Sequence, residues 1–190
     1  MIHFAFPSGV TKKYVDIEDD PKPTHQQGLG RPKRLHTTCN VARTWRKAAP
    51  PASARIEGVI LLHPSFCGEQ RLEDEAKEFW EANKKRWAVI FPGASNGSDD
   101  PRINPMAAGA GEPGLAKLAS KKLFVSTASE DPRAPRGRAY CDAVRTGCWT
   151  GKLQWFESQG KGHCFFVHDY GSHEAVELMD RAVAFLRSFK

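Results

Sequence analysis

The chain has 190 residues, 40% of them apolar and 10% aromatic, with 28 Lys+Arg against 22 Asp+Glu. That length suits one domain, and 11 Phe and 5 Trp exclude a disordered polymer. No apolar run approaches the ~18 residues of a spanning helix, so no membrane partner is expected.

The formal charge of +6 is concentrated early in the chain. Between Lys22 and Ala54 there are seven basic residues and no acidic one. Such a run suits either a nucleic-acid arm or a solvated segment. No nucleic-acid motif accompanies it and Trp45 is its only aromatic. Residues 1–35 therefore read as a loosely ordered basic segment, and no nucleic-acid partner is expected. Met1–Pro7 has no basic n-region and does not read as a signal peptide. The five cysteines are odd in number and lack Cys-x-x-Cys spacing, against both a disulfide framework and a zinc site. No metal and no other cofactor is expected, and the thiols read as reduced in a cytoplasmic protein. Cys164, beside His163, is either a reactive thiol or a small buried hydrophobe.

The first predicted element is a short helix around Cys39–Trp45, stopped by Pro50-Pro51. From Arg55 on, strand and helix alternate. Val59-Ile60-Leu61-Leu62 is a continuous apolar run closed by Pro64, a strand buried on both faces. Glu73 to Arg86 favours a helix. Lys122–Ala128 is the second strand. Arg136 to Thr146 is a helix with Ala139, Tyr140, Ala143 and Val144 on one face and Gly147 at its C′ position. Lys152–Glu157 is the third strand. The last helix starts at Ser172, an N-cap, with Glu174 in its first turn. Val176, Met179, Ala182/Val183 and Leu186 recur every three or four residues and predict its core face. The alternation predicts an α/β fold, a parallel sheet with helices on both faces.

Sites in such sheets lie at the carboxyl ends of the strands. There stand His63-Pro64-Ser65-Phe66-Cys67-Gly68, Ser129-Glu130-Asp131 and Gly160-Lys161-Gly162-His163. Asp131 and His163 end consecutive strands. An acid that accepts the imidazole Nδ1 hydrogen leaves Nε2 to act as a base, the support half of a hydrolase triad. The order acid then histidine also follows α/β-hydrolase chain order. The plainer readings are a turn-capping Asp and a hydrogen-bonded surface His.

Several longer segments carry a resemblance. Arg55–Glu69 is similar to the strand and His-Pro-aromatic turn of plant carboxylesterases, hormone-sensitive-lipase-like α/β-hydrolases of the fold-3 type. Asp99-Asp100-Pro101-Arg102-Ile103-Asn104-Pro105 resembles their Asp-Asp-Pro-x-Ile-Asn-Pro segment. Val125–Val144 resembles their acid loop and following helix, with Asp131 at the acid position. Gly162-His163-Cys164-Phe165 resembles the catalytic His loop, and Glu174–Met179 the closing helix. The resemblance covers about residues 36–190, the C-terminal portion of such a domain.

It implies a serine esterase of small carboxylic esters, with Asp131 as orienter and His163 as base and then acid. It also implies His-Gly-Gly and Gly-Asp-Ser-Ala-Gly, and neither is present. Ungapped alignment puts the serine position on Pro32, so no nucleophile is identified. The expectation is a partial α/β-hydrolase without its N-terminal strands and nucleophile elbow, truncated relative to the family and catalytically incomplete as written. Without those strands, Val59–Leu62 would expose an apolar edge and invite self-association. The alternative is a non-catalytic binding protein of the gibberellin-receptor type, in which the triad His is replaced. This chain keeps His163.

Overall fold

Val59–Leu62 is apolar at every position because both faces of its strand are covered. The computed structural model describes residues 2–7 (backbone only), 56–107, 115, 118 and 120–189. Strand β2 (Ile56–Leu62) pairs in parallel with β3 (Lys122–Ala128), Val59 opposite Leu123 and Leu61 opposite Val125. β3 pairs in parallel with β4 (Lys152–Ser158). The three parallel strands of the sequence reading are thus found in register.

A further strand was not anticipated. β1 (Ile2–Pro7) runs antiparallel along the other edge of β2, Ile2 opposite Leu62, giving the order β1-β2-β3-β4. The expectation of an open apolar edge at Val59–Leu62 is therefore corrected. Ile2-His3-Phe4-Ala5-Phe6 is an alternating, β-favouring run, and its backbone completes the β2 ladder. The grounds for self-association through that edge disappear with it. The rest of the segment expected to be loosely ordered, and the Cys39–Trp45 helix, lie outside the described residues.

Strand alternation sorts the core into two halves. Val59 and Leu61 of β2 and Leu123 and Val125 of β3 pack with Tyr140, Cys141 and Val144. The alternate residues Ile60, Leu62 and Phe124 pack with Leu178, Ala182 and Phe185. Helix α2 (Ala134–Thr146) thus covers one face and α4 (His173–Arg187) the other. α2 approaches closely because Gly137 has no side chain: a Cβ there would stand 2.7 Å from Thr127 Cγ2.

Helix boundaries differ from the sequence reading for local reasons. α1 spans Lys77–Ile90 rather than beginning at Glu73, because Glu75 turns inward to pair with Arg136 before the helix starts. α2 begins two residues early, at Ala134, with Pro135 in its first turn, where a missing N–H costs nothing. Gly147 is its C-cap with an extended backbone (φ −79°, ψ 179°), not a left-handed C′ residue. Ser172 does cap α4, its Oγ accepting from Ala175 N–H at 3.3 Å.

The α4 core face also differs. Ala175, Leu178, Ala182 and Phe185 are buried, whereas Val176, Met179 and Val183 are 50%, 37% and 41% exposed. Ala182 is buried and Leu186 packs partly against the core, as expected, whereas Ala175 and Leu178 take the places expected for Val176 and Met179, because Ala175 fits against the sheet. Burying Leu178 and Phe185 contributes roughly 1.5–3 kcal/mol each.

Candidate active site

The loops after β2, β3 and β4 meet at one edge of the sheet. Their backbones are tied together: Ser129 N–H donates to Ser158 O at 2.9 Å, and Glu130 N–H to Lys161 O at 3.0 Å. Gly160, at φ +65°, turns the third loop back, and its N–H donates to Ser129 Oγ at 2.8 Å. The third loop is then carried into the short helix α3 (Phe165–His168), with Cys164 at its N-cap.

This zipping brings Asp131 and His163 together, with His163 Nδ1 2.6 Å from Asp131 Oδ2. The other oxygen, Oδ1, accepts from Arg133 N–H at 2.9 Å and has the Arg133 guanidinium 3.6 Å away. Asp131 therefore combines both readings of it, a turn-former at the start of α2 and a partner of the imidazole. The carboxylate is 4% exposed. Burial alone would raise its pKa, yet the His163 bond and the Arg133 amide and charge hold it below the usual Asp value. Burial likewise opposes protonation of His163, but the Asp131 bond and charge and the Cys164 side chain raise it above the ordinary histidine value. Each partner stabilises the charged form of the other.

A second imidazole sits beneath the pair, and sequence reasoning gave it no role. His63, the residue after β2, is 1% exposed. Its Nδ1 accepts from Cys164 N–H at 2.9 Å and lies 3.7 Å from Asp131 Oδ2. Burial, opposed by Asp131 and reinforced by His163, pushes it down to about 4, so it is neutral at pH 7. Its position directly after a parallel strand, in the same tier as Asp131 and His163, was the signal in the sequence.

The other thiols and hydroxyls near the strand ends are placed differently. Cys67 is fully buried against Trp87 and Ile103, and burial raises its thiol pKa, so it is not an activated nucleophile. Cys164 is half-buried at the N-cap position of α3, makes no side-chain capping bond, and packs partly against the core half that holds Phe165 and Phe166. Ser65 is half-buried. Gly93-Ala94-Ser95-Asn96-Gly97 does match the general Gly-x-Ser-x-Gly string. Ser95, however, is exposed in the turn between α1 and the 3-10 turn Gly97–Asp99, and its N–H donates to Asp100 Oδ2 at 3.3 Å. No strand leads into it and no full helix leads out, so it is not a strand-to-helix elbow. The groove beside α1, about 360 Å³ and lined by Lys84, Trp87, Phe91 and Ile103 among others, does not include Asp131 or His163. Donor atoms of His63, His163 and Cys164 lie within 4.8 Å of one another. Both imidazole Nδ1 atoms are already engaged, by the Cys164 amide and by Asp131, and we assign no metal ligand there.

The roof over this edge is built from the family-like segments. Arg136 makes a two-pronged ion pair with Glu75 (Nε–Oε1 2.9 Å, Nη2–Oε2 2.8 Å), both side chains being almost fully buried. Asp100 holds Arg102, Asn83 Nδ2 donates to Phe66 O, and Cys67 N–H donates to Ile103 O. These contacts fix the loop that follows His63.

A parallel sheet flanked by helices on both faces, with functional loops at its carboxyl edge, is the α/β-hydrolase plan. The family model described as alpha/beta hydrolase fold matches residues 36–167, and the chain belongs to that family. It is 42% identical over 132 residues to the amyloplastic tuliposide A-converting enzyme b1 of Tulipa gesneriana, covering 70% of this chain and 34% of the relative. It is 34% identical over 140 residues to 2-hydroxyisoflavanone dehydratase of Glycyrrhiza echinata (73% and 42% covered). It is 26% identical over 140 residues to probable carboxylesterase 3 of Arabidopsis thaliana (72% and 44% covered). The chain thus spans between a third and a half of the length of these relatives. The cytoplasmic expectation is overturned by the tulip relative, whose name places it in the amyloplast.

Proposed function

We propose that this chain carries the acid–base half of a serine esterase acting on small carboxylic esters. His163 is the general base and then the general acid, and Asp131 orients its ring and stabilises the imidazolium. The observation that carries this reading is the 2.6 Å bond between His163 Nδ1 and Asp131 Oδ2 where adjacent parallel strands end. With Nδ1 bound to the carboxylate, Nε2 is the nitrogen left to exchange a proton with a nucleophile. The raised His163 and lowered Asp131 fit those roles. Neither Gly-Asp-Ser-Ala-Gly nor His-Gly-Gly occurs in the 190 residues, so the reading assigns this chain no serine nucleophile and no oxyanion hole.

Two measurements test it. The 190-residue chain alone should hydrolyse a p-nitrophenyl acyl ester no faster than its His163→Ala variant. An excess of about a hundredfold would mean that a nucleophile exists here after all, with Ser65 and Cys164 the first to replace. Residues 36–190 should also be joined to the part of the amyloplastic tulip enzyme that they do not match. Ester hydrolysis by that chimera should fall about 10²–10⁴-fold on His163→Ala. An active chimera indifferent to that change would refute the assignment.

The dehydratase among the relatives favours a second reading of the same pair. There His163 removes a carbon-bound proton and returns it to the departing hydroxide, releasing water and leaving a double bond. That reaction needs no serine. Incubating the 190-residue chain with a 2-hydroxyisoflavanone separates the two, since only the second reading gives turnover that His163→Ala abolishes.

A further inference from the structure

We propose that His63 is a positioning residue for the Asp131–His163 pair: its Nδ1 holds the Cys164 amide and so fixes the backbone on which His163 stands. The inference rests on the reading of that pair as orienter and base.

Backbone strain points to it first. His63 (φ +47°) and Cys164 (φ +53°) are the two non-glycine residues with left-handed backbone among the described residues. Side chains disfavour that conformation, and it persists where surrounding structure enforces it, often at functional sites. These two residues, 101 positions apart, are hydrogen-bonded to each other. His63 also precedes Pro64, which steers the residue before it towards extended backbone. It is nevertheless held, its N–H donating to Ser126 O at 3.0 Å. Cys164 follows His163 by one peptide bond. A Cys164 amide pinned to the end of β2 therefore sets the direction in which the His163 side chain leaves its loop.

The tautomer explains why an imidazole is used. Because Nδ1 accepts a hydrogen bond, the neutral ring carries its proton on Nε2. That Nε2 is buried and finds no partner among the described residues. The ring is surrounded by Phe165 and Phe166, with centroids 5.7 and 5.2 Å away, and by His163 at 5.8 Å. An apolar side chain of similar size would fill this space without burying an unpaired ring N–H. What it would lack is the acceptor for Cys164.

The same tautomer settles a competition. Asp131 Oδ2 lies 3.7 Å from His63 Nδ1 and 2.6 Å from His163 Nδ1. A proton on His63 Nδ1 would give the carboxylate a second imidazole to pair with. With a lone pair there instead, Asp131 Oδ2 has one imidazole donor to choose, and it is His163. The ionisable groups facing His63 are Asp131 from the β3 loop and His163 and Cys164 from the β4 loop, with Arg133 behind Asp131.

The test is nitrogen-15 and proton NMR on the 190-residue chain. The wild type should show a through-hydrogen-bond coupling between the Cys164 amide nitrogen and His63 Nδ1, with the His63 proton on Nε2. It should also show the far-downfield proton of a His163 Nδ1–H···carboxylate bond. His63→Leu, which keeps the packing, should lose both signals, and His163 should titrate closer to the ordinary histidine value. His63→Asn, whose amide oxygen takes the place of Nδ1, should restore the downfield proton. Absence of the coupling, a proton on His63 Nδ1, or a downfield signal unchanged in His63→Leu overturns the proposal. If His63→Leu does not fold, the wild-type coupling and tautomer decide alone. A wild type with the coupling but no downfield proton overturns the acid–base reading, and the positioning role with it. The reverse pattern overturns the positioning role only.

Discussion

Burying a neutral histidine makes a fold acid-labile, and His63 does so in a pH interval of its own. In the unfolded chain its imidazole titrates near 6.5, and in the folded chain burial holds it to about 4. A depressed folded value means that the contribution is complete above pH 6.5 and is lost as pH falls towards 4. The full loss corresponds to about 3 kcal/mol, a large share of the ~5–15 kcal/mol that holds a typical domain together. The neighbours act elsewhere. His163, with a raised value, contributes fully below pH 6.5 and loses its contribution as pH rises through its folded value. Asp131, with a lowered value, contributes above about 3.8 and loses stability only as pH falls below that. Between pH 6.5 and 4.5 the slope should therefore belong mainly to His63. Urea unfolding followed by Trp fluorescence at several pH values would measure it. The wild type should lose about 2 kcal/mol between pH 6.5 and 4.5, while His63→Asn, which cannot titrate, should stay nearly level over that interval. Equal slopes in the two proteins would show that His63 is not buried as a neutral ring.

Three other expectations concern the frame of the site. Arg136→Met should destabilise by about 3–5 kcal/mol because it leaves the Glu75 carboxylate buried without its partner, and adding Glu75→Leu should recover much of the loss; additive single losses in urea titrations would show that the two do not act as a pair. Ser172→Ala should cost about 1 kcal/mol through loss of the α4 cap, read from the same titrations, with Ser172→Asn close to wild type. Gly137→Val should lower the thermal midpoint sharply, since even a Cβ would meet Thr127 Cγ2 at 2.7 Å; an unchanged midpoint would mean that α2 can move off the sheet freely.

The parts of the fold written in local pattern were legible. A continuous apolar run can be buried only on two faces, and Val59–Leu62 became an inner strand paired in parallel with Lys122–Ala128. Ser172 announced its helix by the chemistry of its hydroxyl. Features that depend on distant partners were not legible. Glu75 sits in a helix-favouring run but is drawn out of the helix by Arg136, 61 residues away. Val176 has the spacing of a core residue, yet which of two adjacent apolar positions faces the sheet depends on how closely the helix approaches it. The sequence showed that β2 had an edge to fill, but nothing in Ile2–Pro7 itself, 49 residues before β2, marked it as the segment that fills it. At the site, Asp131 and His163 were visible because each follows a strand. His63 follows one too, but nothing in its own segment shows that its acceptor is needed by an amide 101 residues later.

Contacts among the described loops hold the Asp131–His163 pair from several sides. Asp131 is fixed at one oxygen by Arg133 and at the other by His163. His163 is fixed from below through Cys164 and His63, and from the side by the Glu130–Lys161 and Ser129–Ser158 bonds. The imidazole is oriented by these contacts alone, which on the proposed reading is what a preorganised base requires. Replacing His63 should therefore disturb the Asp131–His163 bond without removing either group of the proposed pair. On the proposed reading, proton transfer falls to the upper pair and its alignment to the imidazole beneath it.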